Sequence, residues 1–134
     1  MKMKSFFGII ILLALAATSC RKGEGKGGKA TISGKVYVDY YNQSGSFIDK
    51  SFYARDEDVF IVYGNNTVYD DKIATHYDGS YQFDYLMPGN YTVYTYSKDV
   101  DGTADNSKIL VLKEVTISDK NETVELDDFV IDDN

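Results

Sequence analysis

The sequence predicts an all-β fold, a Greek-key β-sandwich of seven strands. Short apolar or alternating runs recur at roughly ten-residue spacing through residues 30–134, and clusters of Gly, Asn, Asp and Ser separate them. No segment in this range has the apolar periodicity of a helix. The range also spans about 105 residues, which is the size of one two-sheet sandwich. We therefore expect a single β-sandwich domain over residues 30–134.

Side-chain alternation defines the first strands. Residues 32–38 place apolar side chains on one face and Lys35 and Tyr37 on the other, which is the period of a half-buried strand. Residues 42–58 form a loop, and its large apolar side chains predict that part of it folds back onto the sandwich. Residues 58–63 form a near-continuous apolar strand that ends at a Gly-Asn-Asn turn.

The remaining strands are predicted between turn signals. An Asp-Gly pair at residues 78–79 makes a hairpin turn, and a Pro-Gly pair at residues 88–89 makes the next reversal. The strands are one interrupted strand over 67–69 and 72–77, then 80–83, 91–96, 108–117 and 122–131.

One stretch of the chain carries a longer motif. From Asp78 the sequence reads Asp-Gly-x-Tyr-x-Phe-x-x-Leu-x-Pro-Gly-x-Tyr-x-Val. The Asp-Gly and Pro-Gly pairs supply turns, and we expect the apolar side chains between and after them to face the core at strand spacing. These side chains are Tyr81, Phe83, Leu86, Tyr91 and Val93.

This motif resembles the signature of the carboxypeptidase regulatory-domain-like, or transthyretin-like, family. Gly34-Lys35-Val36 is similar to the end of the opening strand of that family, and the resemblance extends over residues 32–131. The loop at residues 42–58 is longer than the corresponding family connection. The resemblance implies a transthyretin-like sandwich that is itself a non-catalytic appendage.

Residues 1–19 are predicted to be a lipoprotein signal peptide. Two lysines precede an uncharged apolar run over residues 5–19, which is shorter than the roughly 20 residues that a helix needs to cross a bilayer. The run ends in Ala-Ala-Thr-Ser before Cys20, and this resembles a bacterial lipobox in the looser form found in Bacteroidota. The resemblance implies cleavage before Cys20 and lipidation of its thiol. The alternative is a buried, unreactive cysteine.

Residues 20–29 are predicted to be the lipidated cysteine and a flexible tether. Four of the 11 glycines and four of the 14 basic residues lie in this segment, and Gly-rich chains behave as coils. The basic side chains are expected to favour anionic lipid headgroups or simply to be solvated. By resemblance to lipoprotein sorting signals, Arg21 and the basic tether imply an outer-membrane lipoprotein that faces the periplasm.

Composition excludes several classes of function. Residues 30–134 carry eight basic and 20 acidic side chains, so we expect no nucleic-acid partner, which would need a basic face. One cysteine and one histidine exclude an intrachain disulfide and any multi-thiolate or multi-histidine metal centre. His76 and Ser80 form the one histidine–hydroxyl pair worth considering, and their spacing is poor for catalysis. We therefore expect a protein that is not an enzyme.

Calcium is the one cofactor that the sequence suggests. Asp99, Asp101 and Asp105 are spaced two and four residues apart around Gly102, as carboxylates are in oxygen-ligand loops. The glycine follows the second acid instead of the third, and no glutamate closes the loop. The alternative is an exposed Asp/Gly turn that joins two strands.

Three tyrosines are the predicted ligand-binding residues. If the motif side chains face the core, alternation turns Tyr94 and Tyr96 outward, and Tyr37 is outward on the first strand. Together they predict an exposed aromatic patch that suits a glycan or a protein partner. The alternative is that cross-strand tyrosines only stabilise an exposed sheet face.

Two functions follow from these predictions. The first is a non-catalytic, membrane-anchored lipoprotein that serves as a binding or accessory module of the cell envelope and recognises a protein or a glycan. The second is a structural or assembly subunit, similar to an adhesin or a pilus component, that works by edge-strand pairing.

Overall fold

The computed structural model of the chain describes residues 23–134 and is an all-β sandwich of two sheets. The described residues form nine strands, and no helix among them is long and apolar enough to span a membrane. The strands are β1 (Lys26–Tyr41), β2 (Ile48–Tyr53), β3 (Asp58–Tyr63), β4 (Asp71–Ala74), β5 (Ser80–Leu86), β6 (Gly89–Lys98), β7 (Lys108–Ile117), β8 (Thr123–Glu125) and β9 (Phe129–Asp133).

The first sheet is built around β1. The first half of this 16-residue strand pairs with β5 and β8, and its second half pairs with β2 and β9. β5 and β2 are antiparallel to β1, whereas β8 and β9 are parallel to it. Each half therefore has one partner on either edge, because a strand can bond to only two neighbours at any one residue.

The second sheet has the order β4-β3-β6-β7 and is antiparallel throughout. β3 and β6 pair with Phe60 opposite Tyr94, and β6 pairs with β7 over its whole length. The two edges of the sheet differ, since β4 has four residues and β7 has ten.

The core lies between the two sheets. The five motif side chains predicted to face it, at positions 81, 83, 86, 91 and 93, are each at most 2% exposed, which confirms that prediction. Along β6 buried residues alternate with exposed or half-buried ones, so every second side chain points to the outer face of the second sheet. This alternation positions the candidate site.

The predicted sandwich class is confirmed, but the predicted number of seven strands is wrong. β2 lies within the predicted loop 42–58, and residues 122–131 contain two strands where one was predicted. All six residues of β2 are exposed, so the strand has no buried face to produce alternation and is held by pairing with β1. The break between β8 and β9 includes Leu126, whose N–H bonds to the carbonyl of Ser33 at 2.8 Å.

β1 begins at Lys26, four residues before the predicted start of the domain. The C-terminal part of the predicted tether is therefore a strand and not a coil. The reason lies in close backbone contact, since a Cβ on Gly28 would collide with the carbonyl of Leu86, and only glycine fits there. The predicted signal peptide at residues 1–19 and the predicted lipidation site Cys20 lie outside the described residues.

Candidate functional site

The outer face of the second sheet carries a cluster of four aromatic rings. We call Phe60, Tyr69, Tyr94 and Tyr96 the aromatic cluster. Phe60 of β3 and Tyr94 of β6 are register partners, and their rings are stacked at a centroid distance of 4.9 Å with 10° between planes. Tyr69 meets Phe60 edge to face at 5.0 Å. Rings in such arrangements stabilise one another and hold a fixed shape.

Tyr96 is the fourth ring of the aromatic cluster and is partly exposed to solvent. Its ring is nearly perpendicular to those of Phe60 and Tyr94, at 5.8 and 5.7 Å. The Tyr96 side chain is 41% exposed, and the ammonium group of Lys108 lies 5.7 Å from its ring centroid. Burial, with Tyr96 adding to it, raises the pKa of Tyr94. Tyr96 and Tyr69, which are 41% and 47% exposed, are therefore the rings of the cluster that are open to solvent.

A cleft of about 510 Å³ adjoins the aromatic cluster. Phe60 and Tyr96 line it on the side of the cluster. Its other lining residues are mostly acidic or polar. They come from β6, from β9, from the first residues of β3 and β7 and from the loops before those two strands. They are Asp56, Glu57, Asp58, Thr95, Ser97, Lys98, Asn106, Ser107, Lys108, Ile131, Asp132 and Asp133. We call this the acidic cleft.

Two buried hydroxyl groups of β6 belong to the lining of the acidic cleft. Thr95 and Ser97 are at most 5% exposed, because the alternation of β6 turns them toward the core. Thr95 donates to the carbonyl of Asp58 at 2.8 Å, and the hydroxyl of Ser97 accepts a bond from the N–H of Asp132 at 2.8 Å. These bonds tie β3 and β9 to β6, so the walls of the cleft are fixed by satisfied polar contacts.

The charged groups of the acidic cleft perturb one another. Burial raises the pKa of Glu57, with Asp133 and Asp58 adding to the effect and Lys108 opposing it. Lys98 binds Asp133 at 2.8 Å. Burial would raise the pKa of Asp133, but the hydrogen bond from Lys98, the backbone N–H of Asn134 and the charge of Lys98 together outweigh burial and keep the pKa below its usual value. Burial also raises the pKa of Asp132, with Asp39 and Asp101 adding to the effect. Glu57 and Asp132 are thus the carboxyl groups of the cleft whose ionised form is disfavoured.

Thr75 holds the segment that carries Glu57. Its buried hydroxyl donates to the carbonyl of Ala54 at 2.6 Å and accepts the N–H of Glu57 at 2.9 Å. Two further backbone bonds join Thr75 to Asp56 and Glu57. Asp56 has a positive φ of 60°, a conformation that these contacts maintain. The loop before β3 is therefore a defined wall of the cleft.

The three tyrosines predicted to bind a ligand do not form one patch. Tyr94 and Tyr96 lie together in the aromatic cluster, whereas Tyr37 lies on the first sheet, on the opposite side of the sandwich. Tyr37 packs edge to face on Tyr53 at 5.1 Å, and the hydroxyl of Tyr53 donates to Asp128 at 3.0 Å. The prediction of a single patch is wrong because alternation places outward residues of different sheets on different outer faces.

The predicted calcium ligands are not brought together. Among residues 23–134 no three His, Cys, Asp or Glu side chains are grouped so that they could hold a metal ion. Asp99 uses its carboxylate within its own loop, since it accepts the hydroxyl of Thr103 at 3.1 Å and a short bond from the N–H of Ala104. The geometry of Asp99 is thus that of a turn residue, and Asp101 and Asp105 are exposed.

Sequence reasoning missed most of the residues that line the site. The near-continuous apolar run at residues 58–63 predicts a strand, but it does not mark Phe60 as a residue of the outer face. The positions of Asp58 and Phe60 alternate with the buried Val59 and Ile61, and this parity was the available signal. The sequence around Glu57 and Lys98 gives no sign that they line the cleft, because the position of the cleft depends on how strands distant in sequence meet.

The candidate histidine–hydroxyl pair, His76 and Ser80, lies outside the acidic cleft. The hydroxyl of Ser80 donates to Asp78 at 2.6 Å, and the N–H of His76 bonds to the carbonyl of Ser80. His76 is exposed and is not a lining residue of the acidic cleft. The aromatic cluster offers apolar ring surface, while the acidic cleft offers carboxylates, an amide and two ammonium groups. This combination suits a ligand that has both apolar and hydroxyl surfaces.

Comparisons with known proteins give a fold likeness. No protein-family model and no curated protein matches the chain. Among solved structures the chain is similar to a crystal structure from Pseudomonas aeruginosa named a putative carbohydrate binding protein. The sequence identity is 16%, the match covers 77% of this chain and 90% of that chain, and the TM-score is 0.45. A likeness this distant assigns neither a family nor a ligand.

Proposed function

We propose that the chain is a non-catalytic binding module of the cell envelope that binds a glycan at the aromatic cluster and the acidic cleft. The observation that carries this proposal is the junction between the two. Phe60 and Tyr96 belong to the aromatic cluster and also line the cleft. A ligand that lies on Tyr96 therefore reaches the polar groups of the cleft without leaving the aromatic surface.

A sugar ring matches both halves of the site. Its C–H face is apolar and packs against aromatic rings, while its hydroxyl groups donate and accept hydrogen bonds at the rim. Carboxylates accept such bonds, and amide and ammonium groups can donate them. Asp58 and Asn106 line the same cleft as Phe60, and the ammonium group of Lys108 lies over the ring of Tyr96, so the site offers acceptors and donors together with its rings.

The charge of the acidic cleft narrows the class of glycan. Five carboxylates line it, at positions 56, 57, 58, 132 and 133, against two ammonium groups. Arg55, Lys72 and Lys98 pair with three of these carboxylates, so Glu57 and Asp132 are the two without a salt bridge among residues 23–134. Like charges at an interface cost binding energy. We therefore infer that the ligand is a neutral or amino-sugar oligosaccharide and not a polyuronate or a sulfated glycan.

We further propose that the sandwich is of the transthyretin-like, carboxypeptidase regulatory-domain-like kind and that it is carried on a lipid anchor. Burial of the five motif side chains supports the first part. The resemblance of the segment before Cys20 to a lipobox supports the second, and the basic segment after it supports an outer-membrane protein facing the periplasm. Incorporation of an alkyne-palmitate label that is abolished by Cys20→Ala would test the anchor, and equal labelling of both proteins would contradict it.

Calorimetric titration with neutral oligosaccharides tests the glycan site. The full chain, purified in detergent, would be titrated with cello-, malto-, xylo- and chito-oligosaccharides, and with oligogalacturonate as an acidic comparison. We expect at least one neutral or amino-sugar ligand to bind. Tyr96→Ala and Phe60→Ala should each weaken that binding about tenfold, the effect of losing one ring contact.

Tyr77→Ala is the matched control, because Tyr77 is 85% exposed and lies outside the aromatic cluster. It should leave the affinity unchanged. The proposed function is overturned if none of the neutral or amino-sugar ligands binds at millimolar concentration. It is equally overturned if Tyr77→Ala weakens binding as much as Tyr96→Ala does.

A further inference from the structure

β7 presents an open edge with an unusual sequence for such a place. Among residues 23–134 it pairs only with β6. Its first half contains the run Ile109-Leu110-Val111-Leu112, and Leu110 and Leu112 are 49% and 50% exposed. Long apolar edge strands are templates for pairing with another chain, and proteins usually blunt them. The other edge of the same sheet is blunted, since β4 has four residues and carries Asp71 and Lys72.

The backbone of β7 has free bonding groups at alternate residues. The N–H of Asp99 bonds to the carbonyl of Ser107 at 3.0 Å, just beyond the last β6–β7 pair. In an antiparallel ladder, bonds to one neighbour come from every second residue. Odd-numbered residues of β7 therefore bond to β6, and the N–H and C=O groups of residues 108, 110, 112 and 114 point away from the sheet.

The outward side chains of these even-numbered residues are self-complementary. Along the outer face β7 reads Lys108, Leu110, Leu112 and Glu114. If two copies pair antiparallel about Val111, each leucine lies opposite a leucine of the other copy, and Lys108 of each lies opposite Glu114 of the other. The residues placed opposite each other are also those with outward-pointing backbone groups, so pairing and hydrogen bonding have the same register.

We propose that the chain forms a homodimer through antiparallel pairing of β7 with β7 of a second copy, centred on Val111. The two four-stranded sheets then join into one sheet of eight strands. Lys113 is the one charge of this strand on the inner side, and its ammonium group already lies over the ring of Phe129 at 5.3 Å, within its own subunit. If one β7 were shifted by two residues along the other, Leu110 would lie opposite Glu114 and would lose its apolar partner. We therefore expect only the register centred on Val111.

The dimer has a consequence for binding that is independent of the ligand. A two-fold axis passes through Val111, perpendicular to the joined sheet. The outer face of the second sheet therefore lies on the same side in both copies. The two aromatic clusters would then lie on one surface and could contact one extended partner. Two linked sites bind such a partner more tightly than either site alone. The pairing itself stands whether or not the ligand is a glycan.

Disulfide trapping tests the register in the full chain. Residue 111 of each copy would form a non-hydrogen-bonded pair with Cα atoms about 4.5 Å apart, which is within the range of a disulfide. We expect Val111→Cys to give a cross-linked dimer on oxidation with copper phenanthroline. Ile109→Cys is the matched control, since the two copies of residue 109 would be four residues out of register, about 13 Å apart. This variant should not be cross-linked through residue 109, so it should behave like the unsubstituted chain.

Val111 is partly packed on the core, so exposed positions provide a second test. An equal mixture of the Leu110→Cys and Leu112→Cys proteins should cross-link, because these residues are opposite each other, whereas neither protein should cross-link alone. Lys108→Glu should lower the cross-linked fraction about tenfold through two like-charge pairs. Adding Glu114→Lys to the same chain should restore it.

Several outcomes would overturn the dimer. They are cross-linking of Ile109→Cys as strongly as Val111→Cys, no cross-linking of either Val111→Cys or the leucine mixture, and cross-linking of β7 to a different protein or to another segment of this chain. Failure of the oligosaccharide titration would leave all of these readouts unchanged, so the two proposals can fail separately.

Discussion

The hydroxyl of Tyr91 accepts a hydrogen bond from the backbone N–H of Gly25 at 2.9 Å and donates one to the carbonyl of Met87 at 2.6 Å. Tyr91 is 2% exposed and stands 66 residues from Gly25 in the chain. A second bond, from the N–H of Met87 to the carbonyl of Gly25 at 2.8 Å, closes the same contact. This buried hydroxyl joins the N-terminal segment to the Pro-Gly turn between β5 and β6.

Tyr91→Phe should lower the free energy of unfolding. The substitution keeps the ring in the core but leaves the N–H of Gly25 and the carbonyl of Met87 without their partner. An unsatisfied buried backbone group costs about 1–3 kcal/mol, and we expect a loss in that range. Urea denaturation followed by tyrosine fluorescence or circular dichroism would measure it. A change of less than about 0.5 kcal/mol would show that this hydroxyl does not secure the N-terminal segment.

Tyr81→Phe should have the opposite sign and serves as the matched comparison. The hydroxyl of Tyr81 is buried without a hydrogen-bond partner among residues 23–134, and burial raises the pKa of Tyr81. Removing a buried, unpaired hydroxyl removes its desolvation cost. The free energy of unfolding should stay constant or rise by up to about 1 kcal/mol in the same urea experiment. A clear loss of stability would mean that this hydroxyl does have a partner.

Gly34→Ala should destabilise the first sheet. Gly34 and Tyr81 are register partners in β1 and β5, and a Cβ on Gly34 would collide with the hydroxyl and ring of Tyr81. Overpacking a core typically costs about 1–3 kcal/mol, and the thermal midpoint should fall accordingly. Gly102→Ala is a useful contrast, because a Cβ there would meet no atom within 4 Å, and any loss would come from its positive φ of 69° alone. A midpoint unchanged by Gly34→Ala would contradict the close approach.

Much of the fold could be predicted because its signals are local. The bounds of β7 match the prediction for residues 108–117, and the Asp-Gly and Pro-Gly turns flank the ends of β5. Five core residues followed from the spacing of the motif. β2 could not be found in this way, because all of its residues are exposed. The start of β1 was also missed, since a glycine that is needed for close approach to Leu86, as Gly28 is, cannot be distinguished by composition from a glycine of a flexible tether.

The candidate site was less predictable than the fold. Alternation correctly placed Tyr94 and Tyr96 on an outer face, because parity along one strand is a local property. It could not say which outer face Tyr37 shares, since that depends on how the strands are distributed between the two sheets. The acidic cleft brings Glu57 near Asp133 across more than 70 residues of sequence, and no spacing rule for a single segment can express that proximity.

Removal of divalent cations should leave the stability unchanged. The three aspartates of the loop between β6 and β7 are not grouped as metal ligands, and Asp99 already accepts bonds from Thr103 and Ala104. We therefore expect the same thermal midpoint with EDTA and with millimolar calcium. A ligand that binds only the folded state stabilises it by RT ln(1 + L/Kd), where L is the ligand concentration, so the midpoint rises with the logarithm of the ligand concentration once this exceeds Kd. A rise with calcium that Asp101→Asn and Asp105→Asn abolish would restore the calcium hypothesis.

Glu57→Gln should stabilise the protein near neutral pH. Burial, together with Asp133 and Asp58, raises the pKa of Glu57 above its usual 4.5, so the folded state binds this proton more tightly than the unfolded chain does. Above both pKa values the ionised carboxylate therefore costs stability. That cost decreases as the pH falls through the folded-state pKa, and it is absent below the unfolded-state value. Glutamine fills the same volume without the charge, so it removes the cost at every pH.

The free energy of unfolding of both proteins would be measured by urea denaturation between neutral pH and about pH 4. Glu57→Gln should be the more stable protein at neutral pH, and the difference should shrink as the pH is lowered. Glu125→Gln is the control, because Glu125 is an exposed carboxylate of β8 outside the acidic cleft, and surface changes of this kind seldom exceed about 0.5 kcal/mol. A Glu57→Gln protein that is less stable at neutral pH would show that attraction to Lys108 outweighs burial, and the cleft would then be less acidic to a ligand than its composition indicates.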